Sequence, residues 1–289
     1  MNIRETIKIL MELSKFRITV FVGFSTSVGY ILASGKLDPF MIVPTFGVFL
    51  LACSSSALNH YQERDVDGLM ERTKQRPLPA GKISVRNALL FIVVSFITGS
   101  AILYFSANTI SLLLGWLAFI WYNLVYTPLK RKYALAVVPG SLIGALPPMI
   151  GWTAAGGNVF DPQILALSLF FFIWQIPHFW LLLLLYGKEY EKAGFPSLTS
   201  VFSDKQLMNL TFVWIVALSI CCLLIPFFGF TKSLITIILL VILGGWLIFS
   251  SAKLLYFINA VQVKRAFMRI NMYILFVVLL ISIDKLVII

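Results

Sequence analysis

Charged residues are scarce in this sequence, and most of those present are basic. Only 12% of its 289 residues are charged, with 12 acids against 23 Lys and Arg. A soluble domain has about 25% charged residues, so the composition argues against one. With 60% hydrophobic residues and a mean hydropathy of +0.93, the sequence predicts an all-α protein that crosses a membrane several times.

Cysteine and histidine are also rare, which limits the chemistry that the chain can perform. The three cysteines, Cys53, Cys221 and Cys222, lie in apolar segments, and neither a CxxC pair nor a Cys/His cluster occurs. A zinc or redox site is therefore not expected. No Ser/His/Asp or Cys/His arrangement for nucleophilic catalysis is visible either.

Long apolar runs divide the chain into regular segments. A membrane-spanning helix needs about 20 apolar residues, because each residue rises about 1.5 Å through a core about 30 Å thick. We predict one domain over residues 1–289, a bundle of nine transmembrane helices. The predicted spans are 16–34, 40–58, 88–107, 109–126, 135–154, 163–186, 210–229, 233–250 and 271–288.

The basic residues fall almost entirely on one side of this topology. Twenty of the 23 Lys and Arg lie at the N-terminus or in the even-to-odd loops, and only Lys36, Lys232 and Lys285 lie on the other side. The positive-inside rule then predicts a cytoplasmic N-terminus and a C-terminus on the outer side. It also accounts for the net charge of +11 without nucleic acid. As no signal or transit peptide is evident, we expect a bacterial plasma (inner) membrane.

One polar stretch follows the second span. If that span continues as a helix, Asn59, Glu63 and Asp67 occupy positions i, i+4 and i+8 on one face. Carboxylates near lipid are costly, and a divalent cation would remove their mutual repulsion. Carboxylate and amide oxygens suit Mg²⁺, which commonly bridges to phosphate. We therefore predict these three residues as catalytic metal ligands.

Two arginines follow Asp67 within nine residues, before Pro77, which would end any helix. Arg72 and Arg76 carry guanidinium groups that fork onto phosphate oxygens. Acids followed by arginines predict a site for a magnesium-bound diphosphate. The alternative is a solvated loop in which the acids and bases pair with one another.

Several motifs together resemble a known family. "NHYQERDVD" and "ERTKQRPLPAGKIS" are similar to the first signature of the UbiA-type intramembrane prenyltransferases. The haem O synthase branch, the protoheme IX farnesyltransferases, is the closer resemblance. It rests on "YTPLKR" at 126–131, "GALPPMIGW" at 144–152, "IPHFW" at 176–180 and "KEYEKAGFP" at 188–196.

The resemblance implies a fold and a reaction. The fold is nine transmembrane helices around a central cavity that opens to the cytoplasmic face. The reaction is transfer of a farnesyl group from farnesyl diphosphate to the vinyl group of haem b, giving haem O and diphosphate, with Mg²⁺ as cofactor. Beyond the two substrates and membrane lipid, a contact with a haem A synthase or a terminal oxidase assembly is an expectation.

The chain departs from the superfamily pattern at two places. His60 stands where an Asp is common, and the usual second D-x-x-x-D motif is missing from the loop after span 6. Glu189 and Glu191 occur there instead. Glu189 is predicted as a metal ligand, directly or through water, whereas Glu191 would face elsewhere on a helix.

Four further residues are candidates for substrate contact. Lys130 and Arg131 fit both positive-inside anchoring and contact with the diphosphate. His178, within span 6, and His60 are candidate haem-binding residues, because a neutral imidazole ligates haem iron. A lone histidine in a bundle can equally be a hydrogen-bonded packing residue.

Two other functions compete with this interpretation. One is a sister prenyltransferase with an aromatic, quinone-precursor acceptor; "IPHFW" and the missing second motif favour haem. The other is a divalent-cation transporter or an assembly factor. A transporter should carry polar groups at mid-membrane depth in several spans, whereas the acids here cluster at one face.

Overall fold

The computed structural model describes residues 2–231, 233–256 and 259–287. Within them the chain is helical and contains no strand. Lys232, counted above as an outer base, and residue 288 of the last predicted span lie outside the described residues. The α-helices are α1 Ile3–Leu13, α2 Phe16–Ser34, α3 Ile42–Asp67, α4 Val85–Ser106, α5 Thr109–Ile120, α6 Thr127–Leu129, α7 Val137–Gly140, α8 Leu142–Ala154, α9 Pro162–Lys192, α10 Leu198–Val201, α11 Asp204–Cys221, α12 Leu224–Phe227, α13 Leu234–Ser251 and α14 Ala260–Val287.

Shorter turns complete several of the membrane-crossing segments. Three 3₁₀ turns, Pro39–Met41, Ala134–Ala136 and Ala252–Leu255, extend α3, α7 and α13, and a π-helical segment, Trp121–Tyr126, joins α5 to α6. The described residues then contain nine helical segments long and apolar enough to cross a membrane. This confirms the predicted fold class and the number of spans.

Several span ends differ from the sequence prediction: α3 and α9 end later, and α14 and α11 begin earlier. Helix α14 begins at Ala260, well before the predicted 271, so Lys264, Arg265 and Arg269 lie on the helix and not in a loop. Helix α11 begins at Asp204, where the Ser203 hydroxyl and the Gln206 side chain form a capping box. Both helices therefore extend beyond the apolar run that marks the span.

The bundle is arranged with its largest apolar side chains inside and many others on its perimeter. Its largest core cluster joins α2, α8, α9, α11, α13 and α14, with Phe170 and Tyr273 fully buried. Phe105, Phe227 and Phe249 are more than three-quarters exposed. In a soluble protein such exposure would be unfavourable, but in a membrane these rings contact lipid.

Small residues allow α2 and α8 to cross at very short range. A Cβ placed on Gly151 would lie 1.8 Å from the Thr26 carbonyl oxygen, and one on Gly29 would lie 2.0 Å from the Pro148 carbonyl oxygen. Both obstacles are backbone atoms, which cannot move aside as a flexible side chain can. Close approach of helices through small residues is the usual basis of packing in membranes.

This crossing leads to a first prediction. Gly151→Ala should destabilise the bundle by about 1–3 kcal/mol, because an added methyl group overpacks the α2–α8 contact. The thermal unfolding midpoint in detergent should fall. Gly245→Ala is the matched control, because no atom lies within 4 Å of its added Cβ. Equal midpoints for the two variants would contradict the packing account.

Candidate active site

Helix α3 continues without a break to Asp67, where Gly68 caps it. Asn59, Glu63 and Asp67 therefore share one helix face, as the register predicted. Their exposed fractions are 1%, 5% and 1%, so the face points into the protein. Two buried carboxylates one turn apart require compensation by positive charge or metal.

Asp67 is held by the arginine loop that follows it. Arg76 Nη1 lies 2.8 Å from Oδ1 and 2.7 Å from Oδ2 of Asp67, and the Thr73 hydroxyl donates to the Asp67 carbonyl at 2.9 Å. These bonds fold the loop back over the end of α3. Arg76 is thereby placed beside the predicted metal ligand.

Glu63 is paired with Lys130, which follows α6. Lys130 Nζ lies 2.6 Å from Glu63 Oε1, and only a fifth of the lysine side chain is exposed. Burial by itself lowers the pKa of Lys130, but the charge of Glu63 and nearby tyrosines outweigh it, so the pKa is raised above its ordinary value. Lys130 therefore stays charged at the mouth of the bundle.

Asn59 is contacted by a third cation, Lys15, which the sequence analysis treated only as a topology signal. Lys15 Nζ donates to Asn59 Oδ1 at 2.9 Å and lies 3.2 Å from the Tyr122 hydroxyl. Its backbone is left-handed, with φ 50° and ψ 48°, which is rare for a residue other than glycine. The strained joint between α1 and α2 turns this side chain towards the site.

The charge of Lys15 is weakened by its surroundings. Burial, and then the positive charges of Arg76 and Lys130, lower the pKa of Lys15 to about 7. Cations this close repel one another, and the charges of Glu63 and Asp67 offset only part of the lowering of the pKa. The arrangement is therefore suited to a ligand with more than one negative charge.

A π-helical turn at the end of the fourth span supplies the neutral polar groups of the site. It brings Tyr122 to Asn59, with the Tyr122 hydroxyl 3.3 Å from Asn59 Oδ1, and sets Thr127 3.1 Å from Asn59 Nδ2. Asn123 donates to Ser55 at 2.7 Å. π-Turns occur frequently at functional sites, but no sequence feature predicted this one.

The C-terminal end of α9 lies on another side of the site. Arg72 donates to the Tyr190 hydroxyl at 3.0 Å and lies over the Tyr186 ring. Glu189 Oε2 is buried and has no hydrogen-bond partner among the described residues. Glu191 turns away and accepts from Thr199 at 2.5 Å, as its position on the helix predicted.

The remaining candidates are less closely associated with the carboxylates. Arg131 is exposed, and its Nη2 donates to the Gln62 carbonyl at 2.6 Å. Both ring nitrogens of His60 are buried without partners in the described chain. His178 Nδ1 lies 2.9 Å from Asn271 Oδ1, deeper in the bundle. The structure thus brings Lys130, but not Arg131, to the carboxylates.

The donor set can be tested for magnesium. No group of three His, Cys, Asp or Glu side chains suitable for a metal occurs in the described part of the chain. Magnesium rarely needs such a cage, because it keeps several waters and binds through one or two carboxylates plus substrate phosphates. Glu63, Asp67 and the Asn59 amide oxygen fit that pattern, and the unpartnered Glu189 oxygen could accept from a metal-bound water.

Comparison with known proteins identifies the family. The model of the UbiA prenyltransferase family matches residues 22–275. The chain belongs to the UbiA prenyltransferase family. It is a multi-pass membrane prenyltransferase, since the family match covers most of the nine apolar segments.

Relatives within the family carry a more specific name. A protoheme IX farnesyltransferase of Oleidesulfovibrio alaskensis is 34% identical over 276 residues, which is 96% of each chain. One of Geobacter sulfurreducens is 40% identical over 213 residues, covering 74% of this chain and 78% of the relative.

Solved structures agree on the fold. A digeranylgeranylglyceryl phosphate synthase has a TM-score of 0.79 at 19% identity, covering 98% of this chain and 99% of its own. A UbiA homolog from Archaeoglobus fulgidus, bound to GPP and Mg²⁺, has a TM-score of 0.66 at 15% identity, covering 95% and 99%. At these identities the likeness establishes the fold alone.

The position of Lys15 leads to a second prediction. Lys15→Met should raise the concentration of inorganic pyrophosphate needed for half-maximal binding by about tenfold or more, since a hydrogen bond to a charged group contributes about 1.5–3 kcal/mol. Calorimetric titration measures this change directly. Lys8→Met, on the exposed face of α1, is the control. If Lys15→Met binds pyrophosphate as tightly as the wild type does, Lys15 does not contribute to diphosphate binding.

Proposed function

We propose that this chain transfers the farnesyl group of farnesyl diphosphate to a vinyl group of haem b, giving haem O and diphosphate. The curated relatives support the choice of acceptor, because they are named protoheme IX farnesyltransferases at 32–40% identity. The observation that carries the proposal is the buried face of Asn59, Glu63 and Asp67, with a cation against each residue. That arrangement suits a magnesium-bound diphosphate.

The site would first hold the leaving group. The diphosphate would be surrounded by basic side chains, namely Lys15, Arg72, Arg76 and Lys130. Its binding would release Lys130 and Arg76 from their ion pairs with Glu63 and Asp67, and these acids would then bind the metal. Arg131 is a further candidate, at the rim. Bound Mg²⁺ would supply neutralisation of the charge that develops on the diphosphate oxygen.

Bond cleavage at the allylic carbon then needs no nucleophilic side chain. The electron pair of the C–O bond leaves with the diphosphate, and Arg76 and Lys130 are positioned to stabilise that charge in the transition state. The packed apolar bundle keeps bulk water from the farnesyl cation. The electron pair of the vinyl group forms the new C–C bond, and one water adds to the resulting cation, leaving a hydroxyl group and releasing a proton.

A sister reaction with an aromatic, quinone-precursor acceptor is the second candidate. One incubation decides between them: purified protein with Mg²⁺, farnesyl diphosphate and either haem b or 4-hydroxybenzoate, with product detection by mass. We expect farnesylated haem only. If prenylated hydroxybenzoate forms and haem O does not, the acceptor is the aromatic compound and the proposed haem acceptor is wrong.

Asp67 provides the third prediction. Asp67→Asn should lose most of the turnover, because an amide is a weaker magnesium ligand and cannot balance Arg76. Asp65→Asn is the matched control, since its side chain is 84% exposed on another face of the same helix. Both variants should insert and remain folded, as judged by size-exclusion profile, but Asp67→Asn should have the lower unfolding midpoint because Arg76 loses its partner. Full activity of Asp67→Asn would contradict the proposed metal site.

Magnesium dependence is the fourth prediction. Removal of divalent metal with EDTA should stop product formation, and added MgCl₂ should restore it, because the carboxylates cannot bind diphosphate without a bridging cation. Inorganic pyrophosphate binding, measured by calorimetry, should fall in parallel. Turnover without divalent metal would contradict this prediction, and the charge of the diphosphate would then have to be neutralised by the basic residues alone.

The orientation in the membrane is also part of the proposal. The distribution of bases supports a cytoplasmic N-terminus and an outer C-terminus in a bacterial plasma membrane. The diphosphate site would then face the cytoplasm, where water-soluble diphosphate can leave. A contact with a haem A synthase or a terminal oxidase assembly would let the hydrophobic product pass on without crossing water.

A further inference from the structure

We propose that Asn271 is a positioning residue that fixes the His178 ring so that its Nε2 lone pair can ligate the iron of the substrate haem. The inference rests on the proposed function, because it requires haem as the acceptor. It concerns a pair of partly buried polar side chains that the diphosphate site does not use. His178 lies on α9 and Asn271 on α14, two helices that pack against each other.

The hydrogen bonds of Asn271 determine which way its amide faces. Asn271 Nδ2 lies 2.7 Å from the backbone carbonyl of Phe267. A carbonyl oxygen only accepts, so the amide NH₂ must point there. Asn271 Oδ1 is then the atom 2.9 Å from His178 Nδ1. The amide cannot be exchanged end for end without setting two oxygens against each other.

That orientation in turn selects the histidine tautomer. Asn271 Oδ1 has no proton to give, so His178 Nδ1 must carry the hydrogen of the bond. In a neutral imidazole the second nitrogen, Nε2, is then unprotonated and has a lone pair. A metal-bound histidine commonly donates its other ring N–H to an oxygen in this way, which fixes the ring and raises its basicity.

Nε2 is left available by its surroundings. Within residues 2–231, 233–256 and 259–287 it makes no hydrogen bond, and the His178 side chain is not fully buried. Trp174 and Phe267 each have ring centres 4.8 Å from the imidazole. These rings restrain the imidazole and offer apolar surface to a porphyrin.

The position of His178 on α9 suits an acceptor close to the leaving group. His178 and Glu189 are eleven residues apart, about three helical turns, and so share a face of α9. At about 1.5 Å per residue the separation is about 16 Å. Haem held by His178 would therefore lie deeper in the bundle than the diphosphate at the mouth.

A packing role for the pair makes a different prediction. If Asn271 and His178 only satisfy each other's polar groups, their replacement should alter stability and leave haem ligation unchanged. The iron spectrum separates the two roles, because spin state and Soret position report the axial ligand directly.

The test is titration of purified protein with ferric and ferrous haem b. His178→Gly should lose the imidazole-ligated spectrum, and added imidazole should restore it. Asn271→Leu should weaken haem binding about 10–100-fold, the usual effect of removing the oxygen behind a metal-bound histidine. Asn271→Asp should keep His178 as the iron ligand. The carboxylate should make the His178 imidazole more basic, and the iron midpoint potential should therefore fall. Ser282→Ala, another buried polar residue of α14, is the control.

The outcomes are decisive in each direction. An unchanged haem spectrum and affinity in His178→Gly, or in both Asn271 variants, overturns the inference. If Asn271→Leu fails to fold, the iron midpoint potential of haem bound to Asn271→Asp decides the question: a value equal to that of the wild type overturns the inference. The wild-type product assay separates this result from the proposed function. Haem O formation with no effect of His178→Gly on haem binding rejects only the ligand, whereas no haem binding and no product reject the haem reaction itself.

Discussion

Compensation of negative charge at the end of a membrane helix is the constraint on which this site depends. Glu63 and Asp67 are 5% and 1% exposed, and an ionised carboxylate without a partner is too costly at such a position. Lys130 and Arg76 balance them through ion pairs. In the proposed function the same cations engage the diphosphate, so ligand binding would be an exchange of partners.

This exchange explains why the paired and the metal-binding interpretations of the loop are compatible. The acids and bases pair with one another, as the alternative to a metal site predicted. Removing one member of a buried pair leaves an uncompensated charge and costs about 3–5 kcal/mol, so the pairing stabilises the buried carboxylates. In the proposed reaction, Glu63 and Asp67 would hold the metal, and Lys130 and Arg76 would turn to the phosphate oxygens.

The parts that sequence predicted are those set by local periodicity. Asn59, Glu63 and Asp67 converge because an uninterrupted helix repeats every 3.6 residues, and nothing before Gly68 breaks α3. Lys15 and Tyr122 could not be assigned in this way. Lys15 reaches the site through a left-handed joint, and Tyr122 through a π-turn, and both conformations are imposed by packing between distant segments. The early start of α14 was missed because Lys264, Arg265 and Arg269 lower the hydropathy of a helix whose other face, at Val263, Ala266 and Ile270, is buried.

The two histidines show how the surroundings of a side chain determine its chemical use. His60 lies on α3 beside the acids, and neither ring nitrogen has a hydrogen-bond partner among the described residues, so no contact there fixes its tautomer. His178 has one nitrogen fixed by Asn271 and the other without a hydrogen bond in the described chain. Only the second arrangement presents a lone pair in a defined direction. Because axial ligation requires a directed lone pair, this arrangement favours His178 over His60 as the proposed ligand for haem iron.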